Sequence, residues 1–227
     1  TTNSTTMNPR LQHAIALLLI AAPWIYFLWI RSSLPASIPV HFGIDGKPDR
    51  YGDVRELMSG IIILSAVSLF TYLLIQFLPN LDPKKNASAN QDTLGAISLA
   101  TLALLAVVGV SIVHSATHSR ADLITNLVFP AIGLLFAVIG FQMKKVKPNY
   151  FFGLRLPWTL ESEENWNKTH AYAAPIWIYG GLGMALIMPF LPAKLKVICL
   201  LAGTFLMAII PTLFSYQYFK KQERNQS

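Results

Sequence analysis

Two histidines, His114 and His118, stand four positions apart at the end of an apolar run, a spacing that puts both imidazoles on one helix face. His41, Asp45 and Asp49 lie in a separate polar stretch that could reach the same surface, giving a mixed nitrogen and oxygen ligand set. A zinc site needs three or four ligands placed together, so these residues are weak metal candidates, and no metal or other cofactor is assigned. A second group combines an acid, Glu163, a base, His170, and a cation, Arg155. Around it there is no nucleophile elbow, phosphate loop, His-Glu-x-x-His run or dinucleotide fingerprint. With no recognised motif the group defines no reaction, and the sequence is read as non-enzymatic. Cys199 is the single cysteine, which excludes an intramolecular disulfide.

The elements that must carry these side chains are membrane helices. Of 227 residues, 53% are apolar and only 13% are charged, about half the charged fraction of a soluble domain. The apolar residues come in blocks of about twenty, the length a helix needs to cross roughly 30 Å of hydrocarbon. Because the blocks are continuous, a transmembrane barrel is disfavoured. Six spans are expected, at about 11–30, 58–78, 94–114, 123–143, 172–191 and 195–219. The net charge of +7 is taken to report orientation, with no direct nucleic-acid partner. With the N-terminus inside, the inner segments hold eleven Lys and Arg residues and the outer ones seven, which predicts cytoplasmic termini. Trp24, Tyr26, Phe27 and Trp29 close the first apolar run as an interfacial aromatic belt, so this run is expected to be an uncleaved helix and not a signal peptide.

The expected organisation is a tail at 1–10, an N-terminal helix pair at 11–78, central helices at 79–143, a C-terminal region at 144–219 and a basic tail at 220–227. Two connections exceed what neighbouring helices need, 31–57 outside and 144–171 inside, and long connections carry function more often than short ones. In the outer one, Ile38, Val40 and Phe42 alternate with other residues as in an extended segment. Turns are expected at Asp45-Gly46 and at Lys47-Pro48-Asp49. In the inner one, Tyr150, Phe151, Phe152, Leu154, Leu156 and Trp158 are too apolar for a solvated linker. Ser162 followed by Glu163 and Glu164 predicts a short helix, with Trp166 and His170 on one face and Lys168 on another.

At these two loops the sequence resembles the SdpI family. The outer match runs Ile38-Pro-Val-His-Phe-Gly-Ile-Asp-Gly-Lys-Pro-Asp-Arg-Tyr-Gly52 and is similar to the signature of a small N-terminal domain of unknown function, carried by Pro39, His41, Phe42, Gly46, Pro48, Asp49 and Gly52. The inner match runs from Asn149 through Gly153, Arg155, Pro157, Trp158 and Thr159 to Glu163, Trp166 and Thr169-His170. Leu154 and Leu156 depart from the family pattern, where Ile and Thr are commoner. The resemblance spans roughly 11–220 and implies an all-α, six-span membrane protein of immunity and signalling. It further implies a toxic peptide and a cytoplasmic transcriptional repressor as partners beside membrane lipid. Arg155, a planar cation with five donors set between apolar anchors, is the best single candidate for a contact on the inner side.

A small-solute or ion transporter is the alternative reading. Pro23, Pro130, Pro175, Pro189 and Pro211 in or beside the spans, Gly180-Gly181-x-Gly183 in the fifth, and two long loops on opposite faces would suit an inverted repeat. Yet no charged residue lies deep in any span, where ion-coupled carriers usually keep one.

Overall fold

The computed structural model describes residues 7–43, 48–81, 90–118 and 122–226, with the side chains of His118, Asp122, Leu123 and Gln226 left aside. It is an all-α membrane protein with one small hairpin. Its elements in chain order are α1 (Pro9–Ile30), β1 (Ile38–Phe42), β2 (Pro48–Gly52), α2 (Val54–Leu81), α3 (Gln91–His118), α4 (Asp122–Met143), α5 (Pro157–Glu161), α6 (Glu163–Ile187) and α7 (Ala193–Gln226). Six of them, all but α5 and the strands, are long and apolar enough to cross a membrane. The chain is a multi-pass membrane protein.

The helices begin where side-chain caps are available. Asn8 Oδ1 accepts the Arg10 N–H at 2.9 Å ahead of Pro9. Asp53 Oδ1 accepts the Arg55 and Glu56 N–H groups at 2.9 and 3.0 Å, and Ser162 Oγ accepts that of Asn165 at 3.2 Å. Ser162 therefore starts a helix as expected, but α6 is not short. It continues without a break from Glu163 through the fifth span to Ile187, because Lys168, Thr169 and Ala171 bring no breaker between cap and apolar run. The prolines inside α1, α2, α4, α6 and α7 likewise leave the helices continuous, as neighbouring helices and interior polar groups permit.

The bundle joins an N-terminal and a C-terminal group of helices through an extensive contact of α3 with α4. In the N-terminal one, α1, α2 and α3 meet over Ala16, Tyr72 and Leu102 toward one end and over Phe27, Leu57, Ile61, Val113 and Ala116 toward the other. In the C-terminal one, α4 and α6 form the most extensive helix pair. A Cβ at Gly133 would stand 2.6 Å from the Gly181 carbonyl oxygen, and one at Gly181 would stand 2.5 Å from the Ala137 nitrogen. Only hydrogen side chains let the two backbones come this close, the small-residue mode of membrane packing. Of the glycine triplet singled out in the sequence, Gly181 makes this contact. Gly180 instead faces Met207, and Gly183 has open space.

Antiparallel order puts the two long connections at opposite ends of the bundle. At one end β1 and β2 pair as an antiparallel hairpin, with Ile38 opposite Gly52, Pro39 opposite Tyr51, His41 opposite Arg50 and Phe42 opposite Pro48. The expected extended segment is β1. The expected second turn needs correcting: Pro48 and Asp49 open β2, since a proline that lacks its N–H is tolerated at the first position of an edge strand. The turn assigned to Asp45-Gly46 lies outside the described residues.

Candidate functional site

The connection after α4 folds into a compact brace between α4, α6 and α7, built on buried polar side chains that bond backbone. Asn90, 2% exposed, accepts the Lys147 N–H at 2.9 Å and donates to the Lys147 carbonyl at 3.3 Å. This fixes the first residues after α4. Asn149 is wholly buried. Its Oδ1 accepts the N–H groups of Phe151 and Phe152 at 2.8 and 2.9 Å, and its Nδ2 donates to the carbonyls of Lys147 and Phe152 at 2.9 and 3.3 Å. One asparagine thus replaces the partners that a loop bent away from water would lose.

Gly153 turns the chain with φ of +103°, a conformation that side chains resist. A Cβ there would come within 2.5 Å of His170 Nε2. That nitrogen accepts the Leu154 N–H at 3.0 Å, while Nδ1 donates to the Trp166 carbonyl at 2.8 Å. Both ring nitrogens are committed to backbone, so the geometry requires the neutral ring with its proton on Nδ1. The ring stacks on Trp166 at 4.2 Å, and the indole donates to the Val146 carbonyl at 2.9 Å. Trp166 and His170 share one buried face, as their spacing requires, and Lys168 lies elsewhere, bonded to Glu164 at 2.9 Å and to the Tyr218 hydroxyl at 2.7 Å. Thr159 is also wholly buried. Its hydroxyl accepts the Leu156 N–H at 2.8 Å and lies 2.9 Å from the Leu154 and Leu156 carbonyls, closing α5 at Pro157.

From α5 the brace reaches α7. Trp158 Nε1 donates to Ser215 Oγ at 2.9 Å, Ser215 donates to Asn165 Oδ1 at 2.8 Å, and the same oxygen accepts Thr169 Oγ1 at 2.9 Å. Asn165 Nδ2 returns to the Ser215 carbonyl at 3.2 Å. Asn90, Asn165 and Ser215 escape the sequence reading. Asn165 had a signal, three residues after the cap and four before Thr169, and Ser215 is a lone polar residue in an apolar run. Asn90, in a polar linker, had none.

Arg155 stays on the surface of this brace, exposed, with its guanidinium donating to the Tyr150 carbonyl at 2.6 Å. Glu163 is exposed in the first turn of α6. The structure therefore separates the acid, base and cation of the sequence: His170 is buried, and Glu163 and Arg155 are outside. What the surface of the brace presents is a hydrogen-bonded loop with a planar cation on it.

The hairpin at the other end of the bundle is built differently. Ile38 is fully buried, and Val40 packs on the same cluster of Phe27, Leu57, Ile61, Val113 and Ala116. The charged side chains stay on the surface. His41 Nδ1 and Asp49 Oδ1 lie 2.6 Å apart, both more than half exposed, and Arg50 pairs with Glu56. His114 bonds the Tyr26 hydroxyl at 2.7 Å between α3 and α1, and the His118 side chain is outside the described set. Among the described residues no three His, Cys, Asp or Glu side chains cluster as metal ligands. The weak metal candidates are thus divided between an exposed hairpin pair and an interhelical hydrogen bond.

Comparison with known proteins divides the chain at the same two places. A model described as the SdpI/YfhL protein family matches residues 145–215, which hold the brace, α6 and the larger part of α7. A domain of unknown function, DUF1648, matches residues 18–65, which contain the hairpin with the second half of α1 and the first half of α2. The Immunity protein SdpI of Bacillus subtilis is 24% identical over 212 residues, 92% of this chain and 97% of that protein. An uncharacterized protein of Archaeoglobus fulgidus is 48% identical over 42 residues, 18% of this chain and 23% of its own. No solved structure matches. Each structured connection is thus matched by a family model, and the chain is similar to the SdpI family over 145–215 and to DUF1648 over 18–65, with a relative aligned over 92% of its length.

Proposed function

We propose that the protein is a multi-pass immunity and signalling protein of a bacterial cytoplasmic membrane, with both termini in the cytoplasm. On this reading it binds a toxic or signalling peptide at the hairpin face or within the bilayer, and a cytoplasmic transcriptional regulator at the inner brace. The supporting observation is the end-to-end likeness to a protein named for immunity, joined to a brace that holds Arg155 in one place on the surface. A guanidinium with five donors in a fixed fork can clamp a carboxylate on a partner.

Deletion of the gene in its own host tests the reading. Cells lacking the protein should lose viability in medium conditioned by their own stationary-phase culture, and survive when it is restored. Equal survival with and without the gene overturns the proposal. Sidedness is read separately, with cysteine placed at Ser37 or Lys144 in a Cys199→Ser background. An impermeant thiol reagent should label only the former in intact cells, and the reverse pattern inverts the orientation.

A further inference from the structure

The last helix runs well past the apolar length that a bilayer needs. The 34 residues of α7 rise about 51 Å, against about 30 Å of hydrocarbon, and the surplus lies at the C-terminal end, beside the inner brace. There the Trp158 ring stacks on Phe219 at 5.7 Å and meets Tyr216 at 5.4 Å, a cluster of the kind that settles at the membrane–water interface. Directly beyond it, Lys220, Lys221 and Arg224, with Tyr216, Gln217 and Asn225, form a shallow open groove along one face of α7 alone.

Depth and charge together identify what fits this groove. Lys220 and Lys221 follow Tyr216 by one turn, about 6 Å, and Arg224 by two, about 12 Å, distances that cross the headgroup layer of a bilayer. Of the acids at this end of α7, Glu223 bonds Lys220 at 2.9 Å, and Glu164 is held by Gln222 at 3.0 Å and by Tyr218 on the side toward α6. Lys220 also lies 5.9 and 5.7 Å from the Tyr216 and Phe219 ring centroids, which keeps its charge near the interfacial rings. A cationic groove at this depth, with amide donors from Gln217 and Asn225, is complementary to a phosphodiester anion that is itself anchored in the leaflet.

We infer that the groove binds the headgroup of an anionic phospholipid, of the phosphatidylglycerol type, from the leaflet on the brace side. The bound lipid tethers the far end of α7, the helix whose Ser215 holds Trp158 and hence the brace. This inference rests on the membrane-spanning architecture and is independent of the immunity reading.

The test uses the full chain in phosphatidylcholine nanodiscs, with a bimane fluorophore on cysteine at Gln217 in a Cys199→Ser background. A minor fraction of the lipid is either brominated phosphatidylglycerol or brominated phosphatidylcholine. The glycerol lipid should quench far more strongly. Removing Lys221 and Arg224 as K221Q/R224Q should lower that preference by about five-fold per cation. Both side chains are exposed, so thermal unfolding of the variant should match the parent. Equal quenching by the two lipids, or a preference that the double variant keeps, overturns the inference. Displacement of the brominated lipid by inorganic phosphate would mark a site for soluble anions and overturn the assignment to the leaflet.

Discussion

The hairpin at one end of the bundle and the brace at the other are both long connections, and they are fixed by opposite means. The hairpin is held by backbone pairing and by one strand face, Ile38 with Val40, pressed on an apolar cluster, while its ion pairs remain in solvent. The brace is held by Asn149, Thr159, Asn165, Trp166 and His170, all buried and all bonded to backbone or to one another. Surface ion pairs contribute between nothing and about 1 kcal/mol, whereas a buried polar group that loses its partner costs about 1–3 kcal/mol. The brace should therefore tolerate substitution poorly and the charged side of the hairpin should tolerate it well.

The largest test falls on Trp166. Trp166→Ala removes a fully buried ring, the stack on His170 and the donor to the Val146 carbonyl, and should cost about 3–5 kcal/mol. Chemical unfolding in detergent micelles measures it. A loss under about 1 kcal/mol would mean that the brace is not a packed unit. On the hairpin the comparable anchor is Ile38, also fully buried. Ile38→Ala should cost about 2–3 kcal/mol, the lower part of the range for aliphatic truncation, because one strand face carries all of its contacts. Next comes Gly153→Ala. Strain at φ of +103° and a methyl carbon 2.5 Å from His170 Nε2 should together cost about 2 kcal/mol, with the Leu154 amide losing protection in hydrogen exchange.

These residues also mark how far the sequence could be read. The six spans follow from apolar length, and the start of α6 follows from Ser162 and its acids, because both are local properties of the chain. Length and periodicity also gave β1. They failed at Pro48, where pairing with Phe42 outweighs a local turn preference, and at the continuation of α6, where the polar segment 163–171 passes into the span without a breaker. The face shared by Trp166 and His170 is legible from a spacing of four. What they bond is not, since Val146 and Leu154 are brought to them by the fold. Asn90 lies 57 residues from Lys147, and no pattern along the chain announces such a pair. The same holds for α4, whose Gly133 matters only because Gly181 arrives opposite it.

The charged side of the hairpin offers the sharper contrast. Asp49→Ala breaks the contact with His41, in which both side chains are more than half exposed, and should change stability by less than about 1 kcal/mol. If the unfolding midpoint of this variant fell as far as that of Ile38→Ala, the hairpin would rest on its ion pairs, and the contrast with the brace would disappear.

The smallest expected effect on stability is also the most informative about function. Arg155 is exposed on the brace, and its one described bond, to the Tyr150 carbonyl at 2.6 Å, is of a kind that lysine can partly replace. Arg155→Lys should therefore shift stability by no more than about 0.5 kcal/mol, as surface substitutions do. His170→Ala leaves the Leu154 N–H without its partner, while the Trp166 carbonyl keeps its helical bond to the backbone N–H of residue 170, and should destabilise by about 1–3 kcal/mol. If the brace presents Arg155 to a partner, Arg155→Lys abolishes protection of the host while expression and unfolding stay at parental values, because an ammonium cannot reproduce the planar fork. If Arg155 only closes its own loop, protection survives Arg155→Lys and falls in His170→Ala in proportion to lost stability. Measured side by side, the two variants distinguish a surface that recognises something from a brace that supports the membrane helices beneath it.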